Sequence, residues 1–321
     1  MRVLIIGGTG FAGRYLTAEL LRQGDEVWVA GRGTLSEAAG SSQVDGESVP
    51  SCACDVTDRA SVSAALAHSR PEAVVLLAGI ASPPIAQRDP EAAFRVHALG
   101  AVHVLEEALR HGAGTRVLVV TSSEVYGPPR PEDLPLREDS PLRPHSVYGA
   151  SKAAADLAAG AFAASRDADV VRVRPFNHTG PGQAHGFVCP DFASQVASIA
   201  RGRMAPVLEV GNLTPRRDFT DVRDIARGYV AVLKRGTAGE VYNLCSGNEV
   251  RIGQILSDLC RMAGIEPEVR SAAGRLRKAD VPVAVGSATR ADEEFSWRPE
   301  IPWQDTLKDL LEAEMAALGG G

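Results

Sequence analysis

The sequence predicts an α/β protein: a doubly wound parallel sheet of the Rossmann type with a smaller, interleaved C-terminal substrate lobe. Strand-like apolar runs alternate with helical patterns, a glycine-rich turn follows the first run, and the alternation stops near Pro175. We place the sheet domain at residues 1–174, with a return to it at about 219–245. Residues 175–218 and 246–321 then form the predicted lobe.

Five apolar runs have the near-continuous hydrophobic character of parallel strands that are buried on both faces. They are RVLIIG, EVWVAG, AVVLLAG, RVLVVTSS and DVVRVRPF. Helical patterns lie between them, and several end at glycine, as helices often do. These are GRYLTAELLRQG, RASVSAALAHS, EAAFRVHALGAVHVLEEALRHG and SVYGASKAAADLAAGAFAAS. The alternation predicts parallel strands joined by right-handed crossovers.

After Pro175 the chain loses this alternation. The segment NHTGPGQAHGFVCP is rich in glycine and histidine and is typical of a loop. Helices are predicted at DFASQVASIARG, RIGQILSDLCRMAG and WQDTLKDLLEAEMAAL, and a strand at GEVYNLCSG. These elements predict a small second lobe that is interleaved with the end of the first domain.

Composition excludes several classes of function. The 321 residues carry a formal net charge of -6, which argues against a broad nucleic-acid-binding face. No apolar run is long enough to span a bilayer, and the N-terminal apolar run suits a strand better than a signal peptide. Apart from Cys52 and Cys54 the cysteines are scattered, which indicates reduced thiols and a cytoplasmic protein. His178 and His185 lack neighbouring carboxylates or thiols, so no metal is expected.

The stretch GGTGFAG predicts a dinucleotide site. Gly7, Gly10 and Gly13 form a G-x-x-G-x-x-G between the first strand and the first helix. Glycines there let the backbone approach a pyrophosphate, and the helix N-terminus supplies free N–H groups and a positive dipole end.

Two residues bear on the adenosine end of a dinucleotide. No Asp or Glu ends the second strand, where an acidic residue would hold the ribose of NAD. Arg32 stands there instead and would pair with a 2′-phosphate or stack on the adenine. Asp55 in CDVTD would contact the adenine edge or serve only as a turn residue.

The stretches TSSEVYG and YGASK predict the chemistry. Tyr148 and Lys152 are four residues apart, so a helix places both side chains on one face. A free tyrosine has a pKa of about 10, and a nearby ammonium lowers it toward the range of a useful base. Ser122 follows the fourth long strand at the carboxyl edge of the sheet, where ligands bind. We predict that Ser122 holds a substrate hydroxyl or ketone against Tyr148.

The segments GGTGFAG, SSEVYG and YGASK together resemble the extended short-chain dehydrogenase/reductase family. The resemblance continues through RPFNHTGPGQAHGFV, RRDFTDVRDIARGY, YNLCSG and RLRKADVP, and so covers nearly the full chain. The pattern is similar to that of the nucleotide-sugar enzymes, namely 4,6-dehydratases, epimerases and 4-keto reductases. It implies an NAD cofactor (with NADP not excluded), a nucleotide-sugar substrate, a lobe that binds that substrate, and a homodimer formed through AVHVLEEAL and SKAAADLAAG.

The resemblance also implies roles for individual residues. The catalytic positions are Ser122, Ser123, Glu124, Tyr148 and Lys152. The cofactor positions are Gly7, Gly10, Phe11, Gly13, Arg32, Asp55, Leu77, Ala78, Tyr148, Lys152 and Pro175. The substrate positions are Asn177, Phe187, Val188, Arg217 and Arg277. Both arginines would bind phosphate or ribose, which suits their forked geometry, or would be surface ion-pair partners.

The chain departs from the family pattern at two places. His97 stands where the family usually has an Asn that orders a water near the catalytic lysine, so it would replace that Asn or only fill space. Ser123 stands where the 4,6-dehydratases carry an Asp that protonates the departing 6-hydroxyl, whereas the base Glu124 is kept. Serine is a far poorer proton donor than a carboxylic acid.

Three functions follow from these residues. We favour an NAD-dependent dehydratase that oxidises C4 of UDP-GlcNAc and eliminates water across C5–C6 with recycling of the cofactor. Its product would be a 5,6-alkene sugar nucleotide for antibiotic biosynthesis. The alternative is a 4-keto reductase that consumes NAD(P)H, and a third possibility is a non-catalytic dinucleotide-binding regulator. The sequence leaves UDP against GDP and the 2-substituent of the sugar open.

Overall fold

The computed structural model describes residues 1–32, 41–44, 46–112, 114–272 and 281–319. Over these residues the strands are β1 (Arg2–Ile6), β2 (Glu26–Gly31), β3 (Ser41–Val44), β4 (Glu47–Ala53), β5 (Ala73–Leu76), β6 (Arg116–Val120), β7 (Val170–Pro175), β8 (Asn177–Thr179), β9 (Val207–Val210), β10 (Arg216–Asp221), β11 (Val241–Leu244), β12 (Glu249–Arg251), β13 (Glu268–Ser271) and β14 (Val283–Ala284).

The helices over the same residues are α1 (Phe11–Arg22), α2 (Arg59–Ser69), α3 (Pro83–Arg88), α4 (Pro90–Phe94), α5 (Gly100–His111), α6 (Val147–Arg166), α7 (Val188–Ala200), α8 (Val222–Arg235), α9 (Ile252–Ala263), α10 (Thr289–Phe295) and α11 (Trp303–Gly319). None of those described is both long and apolar enough to cross a membrane.

The main sheet has eight strands in the order β11–β7–β6–β5–β1–β2–β4–β3. All neighbours are parallel except the edge pair β3 and β4. The strand order reverses between β1 and β5, which is the point where doubly wound sheets bind ligands. The predicted fold class is confirmed.

Alternate residues of the central strand face opposite sides of this sheet, because side chains in a strand point up and down in turn. Val3 and Ile5 pack with helices α1 and α8 on one side. Leu4 and Ile6 pack with α2, α5 and α6 on the other. Each strand is therefore covered by helices on both faces, which explains its continuous apolar sequence.

The second part of the chain has a separate core. Helices α7, α9 and α11 pack against β9 and β10 through an apolar cluster of their own. Strand β10 pairs with β8, β12 and β14 in a small mixed sheet, and β9 pairs with β13. This lobe lies beyond the carboxyl end of β7. The predicted domain boundaries stay a prediction.

Two features differ from the sequence-based expectation. The pattern EAAFRVHALGAVHVLEEALRHG predicted one helix, but Arg95–Leu99 form a π-helical segment between α4 and α5. Single π turns of this kind often occur at functional sites. The second difference is the antiparallel edge formed by β3 and β4, which the apolar runs did not indicate because these strands are short and mostly polar.

Candidate active site

The glycine-rich turn between β1 and α1 leaves no room for side chains. Gly7 has a φ of +96°, and a Cβ there would lie 2.7 Å from the backbone nitrogen of Ala78. A Cβ on Gly13 would lie 2.5 Å from the Gly7 oxygen. Gly10 caps α1 without a side-chain hydrogen bond, so the first N–H groups of the helix stay available to an anion. This cradle fits a dinucleotide pyrophosphate.

Sequence reasoning missed Gly8, although the consecutive glycines were a signal. A Cβ on Gly8 would lie 2.6 Å from Cγ1 of Val29, so the turn packs directly on β2. Leu77 and Ala78 follow β5 and both donate backbone hydrogen bonds to the Ile6 oxygen. The predicted cofactor residues of β1, α1 and β5 therefore meet at one edge of the sheet.

Arg32 and Asp55 lie at the ends of the neighbouring strands β2 and β4. Oδ1 of Asp55 accepts hydrogen bonds from the nitrogen and hydroxyl of Thr57, at 2.9 and 2.8 Å. Burial raises the pKa of Asp55, but the Thr57 hydrogen bonds and the charge of Arg32 outweigh it and leave the pKa lowered. Asp55 thus accepts turn hydrogen bonds with one oxygen, and its second oxygen has no hydrogen-bond partner among the described residues, so the predicted adenine contact stays a prediction. Arg32 is exposed.

Ser122 stands just beyond β6 and begins a short 3-10 turn, Ser123–Val125. Its Oγ accepts a hydrogen bond from the Glu124 nitrogen at 3.2 Å. This capping bond holds the hydroxyl at the carboxyl edge of the sheet.

Tyr148 lies in the first turn of α6, which begins where Ser146 accepts a hydrogen bond from the Gly149 nitrogen at 3.0 Å. Burial raises the pKa of the Tyr148 phenol to about 12; the hydrogen bond from Ser122 opposes this shift and the Glu124 charge adds to it. The phenol is therefore protonated at neutral pH and lies beside the Ser122 hydroxyl.

Lys152 follows one turn later on the same face of α6, as the spacing predicted. Its Nζ donates to the Val120 oxygen at 3.0 Å, at the last residue of β6. Burial lowers the pKa of Lys152 to about 8, so the ammonium form still dominates at neutral pH. The structure brings Ser122, Tyr148 and Lys152 together.

Ser123 and Glu124 lie on the 3-10 turn and are half-buried. Within the part of the chain that the structure describes, the Glu124 carboxylate has no hydrogen-bond or ion-pair partner. Its charge nevertheless acts on Tyr148. The arrangement offers a free carboxylate and a neutral hydroxyl beside the phenol.

His97 is 3% exposed and lies on the π-helical segment. Its Nε2 accepts a hydrogen bond from the Ile80 nitrogen at 2.9 Å, and its Nδ1 bonds to the Ser151 hydroxyl at 2.7 Å. Burial, together with the charge of Lys152, lowers the pKa of His97 to about 3. His97 is therefore a neutral, doubly hydrogen-bonded residue that contacts helix α6 and does more than fill space.

The predicted substrate residues lie on the lobe side of the same edge. Asn177 and Arg217 lie on the paired strands β8 and β10. Nδ2 of Asn177 donates a hydrogen bond to the backbone oxygen of Asp218 at 3.3 Å. Phe187 and Val188 begin α7 and are half-buried. Arg277 lies outside the described residues.

Residues at the end of β7 connect the two sides. Pro175 pairs with Leu244 of β11, and the Phe176 side chain is buried in a small core with Tyr126 and Cys245. Phe176 therefore supports the site from behind. Asn177, by contrast, is exposed.

Direct contacts also join the glycine-rich turn to the lobe. The rings of Phe11 and His178 stack with centroids 6.3 Å apart, and the Tyr15 hydroxyl donates to the Pro181 oxygen at 2.8 Å. Sequence reasoning did not find these contacts, because they join segments more than 160 residues apart. The cofactor cradle and the substrate loop thus form one continuous site.

Comparison with known proteins gives concordant results. The sequence profile of the NAD dependent epimerase/dehydratase family matches residues 3–245. GDP-6-deoxy-D-mannose reductase of Pseudomonas aeruginosa is 35% identical over 241 residues, which are 75% of this chain and 79% of that protein. dTDP-glucose 4,6-dehydratase of Streptomyces griseus is 33% identical over 68% of this chain and 64% of that protein.

Among solved structures, RMD from Pseudomonas aeruginosa complexed with NADPH superposes with a TM-score of 0.84. It is 30% identical, and the match covers 98% of this chain and 99% of that one. The likeness therefore extends over both the sheet domain and the lobe.

Proposed function

The chain belongs to the NAD dependent epimerase/dehydratase family, and we propose that it reduces the 4-keto group of a nucleotide-linked 4-keto-6-deoxy sugar. The proposed substrate is GDP-4-keto-6-deoxymannose, and the proposed reductant is NADPH or NADH. This function differs from the dehydratase that the sequence alone favours. The reasons are the proton-donating groups in the site and the functions of the similar proteins.

The observation that carries the proposal is the position of the Tyr148 phenol beside the Ser122 hydroxyl at the carboxyl edge of the sheet. Ketone reduction needs a proton donor at the carbonyl oxygen, and burial keeps the Tyr148 pKa at about 12. A half-buried phenol that holds its proton at neutral pH suits an acid better than a base. Ser122 is placed to donate a second hydrogen bond to the same oxygen.

The chain's residues then divide the reaction as follows. A bound reduced nicotinamide supplies the hydride to C4. Ser122 orients the ketone oxygen, and Tyr148 transfers its phenolic proton to that oxygen, so that the C=O bond becomes CH–OH. The ammonium of Lys152, one helical turn away, stabilises the phenolate that remains until it is reprotonated from solvent. Asn177 and Arg217 would hold the nucleotide diphosphate.

Ser123 supports reduction over dehydration. Elimination of the 6-hydroxyl needs an acid that protonates the leaving oxygen, and Ser123 offers only a neutral hydroxyl at that position. A serine hydroxyl is a much weaker proton donor than a carboxylic acid. Reduction at C4 requires no such group.

The relatives point the same way. The reductase of Pseudomonas aeruginosa is 35% identical, and the similar solved structure was determined with NADPH. Arg32 at the end of β2 is suited to a 2′-phosphate, and no Asp or Glu stands there to repel it. NADPH is therefore the proposed preferred reductant, with NADH as the alternative.

The test incubates the purified protein with GDP-4-keto-6-deoxymannose and NADPH, with NADH in a parallel reaction. We expect stoichiometric loss of nicotinamide absorbance and a saturated GDP-6-deoxyhexose with a hydroxyl at C4 by NMR. Glu124→Gln is the matched variant, and it should retain most of this turnover because reduction needs no base at C5. Absence of cofactor oxidation with this substrate and with its UDP counterpart would contradict the proposal.

The free carboxylate of Glu124 favours a second candidate. Its charge acts on Tyr148, it has no partner among the described residues, and it would take the C5 proton of a 4-keto intermediate. The reaction would be that of an NAD-dependent nucleotide-hexosamine 5,6-dehydratase on UDP-GlcNAc, as in tunicamycin biosynthesis. Conversion of UDP-GlcNAc to a 5,6-alkene without added reductant, abolished in Glu124→Gln, would support this candidate and contradict the reductase.

We also propose that the protein is a cytoplasmic homodimer. Three large apolar side chains are exposed on neighbouring segments: Phe94 on α4 (42%), Leu99 on the π-helical segment (46%) and Leu157 on α6 (61%). All five cysteines are free, in keeping with a reducing compartment. Light scattering should give twice the mass of the chain, and Leu157→Glu should shift the protein to the monomer.

A further inference from the structure

His97 has a place in the site that neither candidate reaction explains. It lies on the π-helical segment, on an element that carries no predicted substrate or cofactor residue. It reaches two other elements: the loop after β5 through Ile80 and the catalytic helix α6 through Ser151. The side chain therefore bridges the two walls of the nicotinamide end of the site.

The hydrogen bonds define the tautomer of His97. The Ser151 hydroxyl donates its single proton to the Tyr148 backbone oxygen at 2.9 Å, so it must accept from Nδ1–H. Nε2 accepts the proton of the Ile80 amide at 2.9 Å. A neutral imidazole has one donor and one acceptor, and here both are used within the protein. No lone pair or proton of His97 is left for a relay.

The position of His97 places these bonds next to the reacting groups. A Cβ added to Gly79 would lie 3.0 Å from Nε2 of His97 and 3.4 Å from Nζ of Lys152, so the two nitrogens flank the same glycine. The His97 ring also meets the Tyr148 ring edge to face, with centroids 5.6 Å apart and an interplanar angle of 89°. A shift of His97 would move the phenol, the ammonium or the loop.

We propose that His97 is a positioning residue: a fixed Nδ1–H imidazole that ties the Gly79–Ile80 loop to helix α6 and so sets the distance between cofactor and Tyr148. It does not carry protons. Burial and the neighbouring Lys152 charge keep the ring neutral, since its pKa lies near 3. The titratable groups that face it are Lys152 and Tyr148, both on α6. This role serves hydride transfer in either candidate function.

Two substitutions, His97→Asn and His97→Gln, test the hydrogen bonds of His97 to Ser151 and to Ile80 one at a time. Asn at position 97 can reproduce the Nδ1–H donor toward Ser151, and Gln can reproduce the Nε2 acceptor toward Ile80, because their amide groups reach those respective atoms. His97→Phe keeps the ring contact with Tyr148 and removes both bonds. Ser151→Ala leaves the imidazole in place and removes only the α6 bond.

The experiment measures kcat at saturating substrate and cofactor, the pH–rate profile, and cofactor affinity for these four variants. We expect H97F to lower kcat by about 10- to 100-fold, as displacement of reacting groups by an ångström does. H97N and H97Q should each recover part of the loss, S151A should match H97Q, and the pH profile should keep its shape. Wild-type kcat in H97F, or loss of one limb of the pH profile, would overturn the proposal.

A second measurement is independent of the substrate and therefore of the proposed function. Nitrogen NMR of histidine-labelled protein should show His97 as the neutral Nδ1–H tautomer between about pH 5 and 8. The Ile80 amide should exchange with solvent faster in H97F than in the wild type. An imidazolium signal or the Nε2–H tautomer would refute the proposal, and if H97F does not fold, S151A and H97Q provide the same comparison of kcat.

Discussion

Each half of the molecule contains a completely buried carboxylate, Asp156 in the sheet domain and Asp218 in the lobe, and these two are held in opposite ways. In the sheet domain, Asp156 accepts from Nε and Nη2 of Arg174 at 2.9 and 2.8 Å and from Nη1 of Arg172 at 3.1 Å. In the lobe, Asp218 accepts only from neutral donors: the nitrogens of Ser246, Gly247 and Gly286 and the Ser246 hydroxyl.

The difference shows in their ionisation. Burial raises the pKa of both groups, but the arginine hydrogen bonds and charges reverse the shift at Asp156 and leave its pKa lowered. The neutral donors around Asp218 do not, and its pKa stays raised. The sheet domain thus fixes α6, the helix of the proposed catalytic residues Tyr148 and Lys152, through the charged pairs of Asp156, whereas Asp218 holds loops of the lobe mainly by backbone hydrogen bonds.

The largest expected effect comes from a substitution on α6 that removes the proposed proton donor and leaves the buried ion pairs of the same helix intact. Tyr148→Phe removes the phenolic proton and leaves the ion pairs of Asp156 on α6 untouched. We expect kcat to fall by about 10²- to 10⁴-fold, the usual contribution of a general acid or base, with cofactor affinity and melting temperature nearly unchanged. Steady-state kinetics and NADPH titration check this.

The matched control is Tyr242→Phe, which removes a hydroxyl bonded to Glu294 at the far edge of the sheet. It should keep full turnover. Substantial activity in Tyr148→Phe would mean that another group supplies the proton and that the catalytic helix does not carry the chemistry.

The next largest effect tests the buried ion pairs of Asp156 with Arg172 and Arg174. Asp156→Asn leaves the buried Arg174 without its counter-ion, so the free energy of unfolding should fall by about 3–5 kcal/mol at neutral pH. Because the Asp156 pKa is lowered, its contribution is complete above the ordinary pKa of about 4 and is lost as pH falls through the lowered value. The wild type should therefore approach the variant in urea unfolding as the pH falls below the ordinary carboxyl pKa of about 4.

Asp292→Asn serves as its control, because Asp292 pairs with the exposed Arg298 on the surface. A pair of this kind contributes about 0–1 kcal/mol. If both variants lost the same free energy, the buried pairs of Asp156 would not be what stabilises the catalytic helix.

The same contrast explains what the sequence could predict. The sheet domain follows from local patterns: β1, the glycine turn and α1 are contiguous, and Tyr148 and Lys152 share one helical turn. Each of these needs only a few neighbouring residues, so the fold class and the grouping of Ser122, Tyr148 and Lys152 were predictable.

The lobe depends on contacts between distant segments. Strands β8, β12 and β14 have three, three and two residues, and β10 pairs with all of them across separations that no local pattern encodes. The π turn at His97 was equally hidden, because its apolar spacing is compatible with an ordinary helix. Asp55 was predictable only as two alternatives: the Thr57 hydrogen bonds are those of a turn, and the adenine contact stays a prediction.

A smaller effect is expected in the lobe. Asp218→Asn leaves some of the buried N–H donors of Ser246, Gly247 or Gly286 without an acceptor but also removes a buried charge. We expect a loss of about 1–3 kcal/mol, less than for Asp156→Asn. Urea unfolding of both variants under the same conditions gives the comparison.

The contribution of Asp218 to the free energy of unfolding should depend on pH with the opposite sign to that of Asp156. Because the Asp218 pKa is raised, its stabilising contribution is complete below the ordinary value of about 4 and is lost as pH rises through the raised value. The gap between wild type and Asp218→Asn should therefore narrow from about pH 4 to pH 7. A gap that widens over this interval would place Asp218 in the same class as Asp156 and remove the contrast.

The smallest effect concerns Arg32, a charged side chain at the adenosine end of the predicted cofactor site. The glycine turn binds through backbone groups, whereas Arg32 is an exposed guanidinium at the end of β2. An exposed charge contact is worth up to about 1 kcal/mol, so Arg32→Ala should raise the KM for NADPH by up to about 5-fold. The KM for NADH should not change, because only the 2′-phosphate of NADPH needs the charge. Lys308→Ala, which alters a surface lysine on α11, controls for net charge. An equal increase for both cofactors would mean that Arg32 stacks on the adenine, since that contact is common to NADH and NADPH.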